Sequence, residues 1–408
     1  MLLNMNLTGI FKCGFSFAAV CLLVGKTMGE MTEDRHAETS RLQGEIDRLA
    51  QTGGGRVVVT RGIHPCGTLY LKSNVELHLE EGAVLLGSES PEDYDDAIPP
   101  REVYAYANNH TNTVTRKAFV YAENATNVAI TGRGVIEGQG PKFFDRNTVL
   151  WERFWAKPPC MRPRMVVFMN CRGVRFAETT FRDCPVWTMW LRRCEDVVIS
   201  RIRIEADPHM INSDGIDFDA CRNVRVGDSA FSTGDDCLVL RAIRHAGDLD
   251  EAVTENVVVS NCVLSTPCQG VRIACPSDHV IRNAVFRDMT FTGNNAIFAD
   301  QQHCYLEEGN AGNVTTSNLL FENWKISCFG HPISILVTDG VTLGDFGHMT
   351  FRNIEVCASK SIRVCGNETT VVRDVLLEGV RGIIRATPPF EESRTEGVRT
   401  IGLDLRTR

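Results

Sequence analysis

The feature that most limits how this chain can fold is a recurring strand-like unit. Each copy has a polar residue, then Val or another aliphatic residue, then alternation. It reads Asn74-Val-Glu-Leu-His-Leu, Asn127-Val-Ala-Ile, Asp196-Val-Val-Ile, Asn223-Val-Arg-Val and Asn256-Val-Val-Val, with looser copies as late as Gly397-Val-Arg. The tightest neighbours lie 22 or 23 residues apart (Val174 to Val197, Val257 to Val280, Met349 to Val371), and longer spacings mark inserted loops. Period-two runs of Val, Ile and Phe are strands, and a repeat in the low twenties defines a solenoid. A leucine-rich repeat has a similar period, but its Leu/Asn spacing and its intervening helices are both missing. The pattern therefore predicts an all-β, single-stranded right-handed parallel β-helix, in which turn Asn side chains of successive coils hydrogen-bond along the axis.

Residues 37 to 51 read as an amphipathic helix with Leu42, Ile46 and Leu49 on one face, ended by Gly53-Gly54-Gly55. A helix at this point caps the exposed first edge of a β array. Residues 1 to 28 read as a signal peptide, because Lys12 precedes an apolar stretch too short to span a bilayer comfortably. The expectation is an exported protein (periplasmic or extracellular), with residues 29 to 408 forming one β-helix domain, monomeric, and no membrane contact after signal cleavage. A net charge of −8 argues against nucleic acid as a partner.

Sixteen cysteines would suggest disulfides in an exported chain. Yet Cys171, Cys194 and Cys221 each stand three residues before the first Val of a repeat, where stacked free thiols pack as small hydrophobes. Free thiols are expected there, with one or two bridges among Cys268, Cys275, Cys304, Cys328, Cys357 and Cys365. No Cys-x-x-Cys pair is present, so neither a metal nor another cofactor is expected.

Two insertions interrupt the repeat, at about 88 to 118 and 139 to 163. The second carries Phe143, Phe144, Trp151 and Trp155, which would either stack on sugar rings or pack within the loop. Trp187 and Trp190 read as core residues, and His209 and His331 as possible site members that are more often packed or exposed.

The chemistry concentrates in Asn212-Ser-Asp-Gly-Ile-Asp217 and Thr233-Gly-Asp-Asp-Cys237. Asp214 and Asp235 are 21 residues apart, about one coil, so they should lie one above the other at strand spacing, ~5 Å. Adjacent Asp235 and Asp236 can share a cleft only if Gly234 lets the chain bend, since neighbours on a regular strand face opposite ways. Clustered carboxylates are what hydrolysis of a glycosidic bond requires: one protonated for the leaving oxygen, another ionised to activate water. Single Asp-Gly pairs are common turn dipeptides, and the run through Asp217 and Asp219 also looks like part of a calcium loop, without its distal Glu.

From about residue 40 onward the chain resembles glycoside hydrolase family 28, the polygalacturonase-like enzymes with the pectin-lyase-like solenoid. The resemblance runs through Leu71-Lys-Ser-Asn-Val-Glu-Leu-His-Leu and Cys184-Pro-Val-Trp187 to Asn212-Ser-Asp and Gly234-Asp-Asp. It implies Asp235 as general acid, with Asp214 and Asp236 holding the attacking water, and inversion at the anomeric carbon. Two signatures differ. Cys268-Gln269-Gly270 stands where the family has Gly-His-Gly, and Ala296-Ile-Phe-Ala-Asp300 where Arg-Ile-Lys grips a uronate carboxylate. Asn212, Gln269 and Arg272 are the candidate substrate-binding residues, Arg272 being weighed equally against an outward, solvated arginine. The expected function is a hydrolase acting on a pectin-like polysaccharide or oligosaccharide, with a neutral or differently decorated glycan favoured by the missing basic pair. The alternatives are a β-helical lyase or epimerase, or a glycan-binding β-helix without catalysis.

Overall fold

A computed structural model describes residues 28–103, 115–151, 154–156, 160–244, 251–302 and 312–407. The signal-peptide expectation, residues 1 to 28, lies outside the described residues except for Met28. Among the described residues no helix is long and apolar enough to cross a membrane.

The expected solenoid forms, a right-handed parallel β-helix in which every ladder except one short hairpin is parallel. Each coil contributes to three sheets. One contains Arg164–Met169, Val186–Arg192, Ile216–Asp219, Leu238–Arg241, Ile333–Val337 and Ile362–Cys365, joined by the last residues of the long bent strands Val253–Ile273 and Val280–Gln301. Inward residues of all three sheets merge into one core, including Ile216, Phe218, Leu238 and Leu240. Stacking continues inside: Phe286, Phe321 and Phe351 lie face to face with ring centroids 5.2 and 5.0 Å apart.

The turn asparagines behave as expected. Asn223, Asn256, Asn283 and Asn318 all have φ between 54° and 57°, a left-handed corner that Asn tolerates. Their side-chain amides donate along the axis, Asn256 to Asn223 at 3.1 Å and Asn318 to Asn283 at 2.9 Å. The cysteine ladder is also present as free, buried thiols, with Cys194 Sγ 3.3 Å from Phe168 O and Cys221 Sγ 3.1 Å from Leu191 O. The bridges expected further on are not formed: none of Cys268, Cys275, Cys328, Cys357 and Cys365 is in a disulfide, and Cys304 lies outside the described residues. Cys328 and Cys357, on neighbouring coils, stand one register position apart, one buried and the other exposed.

The capping helix is longer than the periodicity suggested, Met28–Gln51, because its polar first turns carry no apolar stripe to count. Leu42 and Ile46 are fully buried against the first coil. Gly54 closes the helix by donating to Leu49 O at 2.8 Å. Its φ of 117° and a virtual Cβ 2.4 Å from Asn74 O leave room only for glycine.

Of the first insertion, residues 104 to 114 lie outside the described range. The remainder covers the outward face of the sheet that carries Ile216–Asp219, before Asp214, where Ile98 packs with Val167, Trp187 and Trp190. In the second insertion Phe143, Phe144, Phe154 and Trp155 pack with Met210 and Ile211, so these aromatic side chains serve mainly as loop core. The Trp151 side chain is outside the described residues.

Candidate active site

The strand Ile216–Asp219 pairs with Leu238–Arg241 in the register Ile216 to Leu238, a coil of 22 residues. Carried back two positions, that register stacks Asp236, not Asp235, on Asp214. Gly215 N accordingly donates to Asp236 O at 2.8 Å. Asp235 is brought into the same cleft by the bend at Gly234. Only glycine fits there: a Cβ on Gly234 would sit 2.1 Å from Met210 O and 2.6 Å from Ser213 Oγ. Ser213 Oγ receives the Gly234 N–H at 2.9 Å and donates to Met210 O at 2.7 Å, tying the two acidic segments together.

Asp235 accepts two backbone N–H groups, from Asn212 at 2.8 Å and Asp236 at 3.0 Å. Asn212 is held in turn, its Oδ1 accepting from the buried Arg162 guanidinium at 3.2 Å. The structure thus places Asn212 as a support of Asp235. Asp236 is 2% exposed and accepts from Gln269 N at 3.2 Å and Arg272 at 3.3 Å. Arg272 is buried rather than solvated, because it also forks onto both oxygens of Asp300 at 3.2 and 3.3 Å. Gln269 contributes its backbone to Asp236, while its side-chain Oε1 is buried with no hydrogen-bond partner.

Below this cleft lies a layer of buried ion pairs. Asp217 and Asp219 alternate with the core residues Ile216 and Phe218 and so share the outward face. Arg241 binds Asp217 at 2.8 Å and stands 3.9 Å from Asp214, with its guanidinium 4.4 Å from the Trp187 ring centre. Arg192 bridges Asp219 and Glu102. Arginines thus face Asp217 and Asp219, two of the carboxylates in the calcium-loop-like run. Trp187 and Trp190 are buried, as expected, with Arg164 3.8 Å over the Trp187 ring.

Burial pushes Asp214 well above the usual carboxylate range, reinforced by the charges of Asp235, Asp217 and Asp236. Burial likewise pushes Asp236 up to about 7, against the pull of Arg272. It holds Asp217 at about 6, opposed chiefly by Arg241. Carboxylates this close exchange protons as a group.

His209 is half exposed, bonded to Asp207 at 2.7 Å and stacked on Trp155 at 5.3 Å. His331 is tied to Ser361 O at 2.7 Å, and burial lowers its pKa. One residue escaped sequence reasoning altogether. The outward column running Asp217, Val239, Arg272, Phe298, Ser334 continues to Arg363 and then Glu391. Arg363 donates to Ser334 Oγ at 2.6 Å, and its guanidinium lies 5.5 Å from the Phe298 ring centre. A cation is thus present beside Ala296-Ile-Phe-Ala-Asp300 after all, delivered from two coils later. Only coil-by-coil alignment of outward positions could have found it.

The three carboxylates thus come from adjacent coils of a parallel β-helix. The family model for glycosyl hydrolases family 28 matches residues 102–246, a span that contains all three aspartates. A probable polygalacturonase of Vitis vinifera is 29% identical over 205 residues, covering 48% of this chain and 39% of that protein. The exo-poly-alpha-D-galacturonosidase of Dickeya chrysanthemi is 27% identical over 237 residues, 49% of this chain and 38% of that one. The chain spans about half the length, or less, of such curated relatives. Among solved structures, the hyperthermoactive exopolygalacturonase of Thermotoga maritima superimposes with a TM-score of 0.71 at 21% identity, over 90% of this chain and 88% of that one. The family 28 exopolygalacturonase of Yersinia enterocolitica gives 0.67 at 19%, over 89% and 75%. These two share the fold. Over residues 102–246 the chain is similar to glycosyl hydrolases family 28.

Proposed function

We propose that this protein is an exported glycosidase that hydrolyses O-glycosidic bonds of a pectin-like, uronate-bearing polysaccharide with inversion. The observation that carries the reading is the convergence of Asp214, Asp235 and Asp236 from two adjacent coils into one cleft. Asp235, at the bend and less buried than its neighbours, is positioned to protonate the leaving oxygen. Asp214 and Asp236 hold the water and remove its proton. A carboxylate made more basic by burial is the better general base near neutral pH, which suits Asp236. Arg241 and Arg272 hold the cluster in place and limit its mutual repulsion.

Arg363 favours an anionic sugar. Its guanidinium has one described hydrogen bond, to Ser334, and no ion pair with a described carboxylate, in the same outward column as Arg272. The guanidinium fork matches a carboxylate well, and Phe298 beneath it offers an aromatic face. Ile98, Glu102, Trp187 and Trp190 fill the outward face before Asp214, which supports attack near a chain end. The lyase alternative loses its candidate base, since Arg272 is gripped by Asp236 and Asp300. Export rests on the Lys12-led apolar stretch and on the extracellular occurrence of pectic substrates.

The test is release of reducing ends from a panel of polygalacturonate, rhamnogalacturonan and neutral glycans. Wild type should release them from the uronate-bearing members, and Asp235→Asn should release none. Growth of ultraviolet absorbance from an unsaturated product would instead establish a lyase, and activity confined to neutral glycans would refute the role given to Arg363.

A further inference from the structure

The row of residues that carries Asp236 runs on past the cleft. It passes through Gln269 and Asn295 to His331, three coils further along, which at strand spacing is ~14 Å. His331 is fixed at both ends, its backbone N–H donating to Asn295 Oδ1 at 2.8 Å and its ring Nδ1 to Ser361 O at 2.7 Å. A carbonyl only accepts, so Nδ1 carries the proton and Nε2 is left as an acceptor. Arg363 and Lys360 both lie near enough to this ring to disfavour its charged form, so the three side chains are neighbours.

The direction of Arg363 is the telling observation. Glu391 is its partner in register on the next coil, and both face outward. The guanidinium nevertheless turns the other way, to Ser334 Oγ at 2.6 Å and to the face of Phe298, back towards Asp236. Glu391 is engaged instead by Ser361 Oγ. Asp300, the other carboxylate near Arg363, is held by Arg272 and by Gln302 Nε2. Lys360 is exposed and has no ion pair with a described carboxylate. An arginine held by a serine and an aromatic ring, away from the acid beside it, is preorganised for a carboxylate that arrives from outside.

Its position decides which sugar it meets. The guanidinium lies between the coils of Phe298 and Ser334, two to three coils from that of Asp236, or ~10–14 Å. A glycan chain advances by roughly one coil spacing per sugar, so this cation does not reach the unit at the cleaved bond.

We propose that Arg363, Lys360 and His331 form a distal subsite for a uronate sugar two to three units beyond the cleaved bond, so that the protein reads the length of an anionic glycan. Arg363 takes the carboxylate, Lys360 adds positive potential, and His331 Nε2 accepts a sugar hydroxyl. The place relative to the cleaved bond rests on the hydrolytic reading above, whereas the affinity for uronate does not.

The experiment titrates galacturonate oligomers of two and six units into Asp235→Asn protein by calorimetry, with the fully methyl-esterified hexamer as a neutral comparator. The hexamer should bind at least ~10-fold more tightly than the dimer or the ester. Adding Arg363→Gln should erase most of that advantage. Lys360→Gln, altering an exposed side chain that folding does not need, should reduce it by ~3-fold. Arg381→Gln, altering an exposed arginine paired with Glu355 on another sheet, should leave it intact. Equal affinity for dimer and hexamer, equal affinity for the ester, or full hexamer affinity in both Arg363→Gln and Lys360→Gln would overturn the subsite. A dimer weakened by Arg363→Gln as much as the hexamer would place Arg363 at the cleaved bond and overturn the distal position. If the affinities hold but wild type cleaves no oligomer, the hydrolytic reading fails and the uronate site stands.

Discussion

Replacing Arg241 by Gln removes the cation that lies 2.8 Å from Asp217, in a place where both side chains are almost inaccessible to water. Neither Asp217 oxygen has a described hydrogen-bond partner, so its ionised form would be left buried with only the charges of Arg164 and Arg272 to offset burial. Breaking a buried pair in this way costs about 3–5 kcal/mol. The cost depends on pH in a definite sense. Asp217 is held at about 6, above its unfolded value, so it is charged at pH 8 and largely protonated at pH 5. The Arg241 attraction exists only where Asp217 is ionised, and it fades at ~1.4 kcal/mol per pH unit as the proton returns. Urea unfolding should therefore place Arg241→Gln below wild type by at least ~3 kcal/mol at pH 8. At pH 5 the gap should shrink to about 1 kcal/mol, chiefly the lost contact with the Trp187 face. The double variant with Asp217→Asn should recover most of the loss at pH 8. A gap independent of pH, or a double variant no more stable than Arg241→Gln alone, would show that the ion pair is not what stabilises this layer.

Asp236→Asn should trade function for stability. The Asp236 pKa is raised to about 7, so its contribution to folding is present below the ordinary carboxylate range and lost as pH rises through 7. The variant should exceed wild type by on the order of 1–3 kcal/mol at pH 8 in urea unfolding, match it near pH 4, and lose turnover throughout. Gly234→Ala must displace Met210 O or Ser213 Oγ and so misplace Asp235 and Asp236; reducing-end assays should show kcat lower by ~100-fold. Asn256→Ala removes two rungs of the asparagine ladder at φ 57° and should cost about 1–2 kcal/mol in thermal or urea unfolding, with turnover unchanged.

The repeat was legible because inward Val, Ile and Phe must recur wherever the core recurs, and Asn must recur wherever the chain turns left-handed. The aspartates were legible because both acidic segments lie in one uninterrupted coil. Their pairing was less so: counting Asp214 to Asp235 misses by one residue the 22-residue register that stacks Asp236. Contacts between more distant coils were not legible. Coil length varies from 20 residues (Gly55 to Val75) to 53 (Glu76 to Ala129), so no fixed spacing leads from Phe298 to Arg363. The burial of Arg272 was hidden for a similar reason, since its partners Asp236 and Asp300 come from the coils on either side. Disulfides were overestimated because a count of cysteines carries no information about which face of which coil each occupies.

The central claim is that Asp214, Asp235 and Asp236 act together to hydrolyse a glycosidic bond with inversion. Proton NMR of the first product formed from a uronate oligosaccharide tests it most directly. The account predicts a new reducing end of the opposite anomeric configuration with wild type, and no product with Asp235→Asn. A retained configuration, an unsaturated sugar, or undiminished turnover by Asp235→Asn would contradict it.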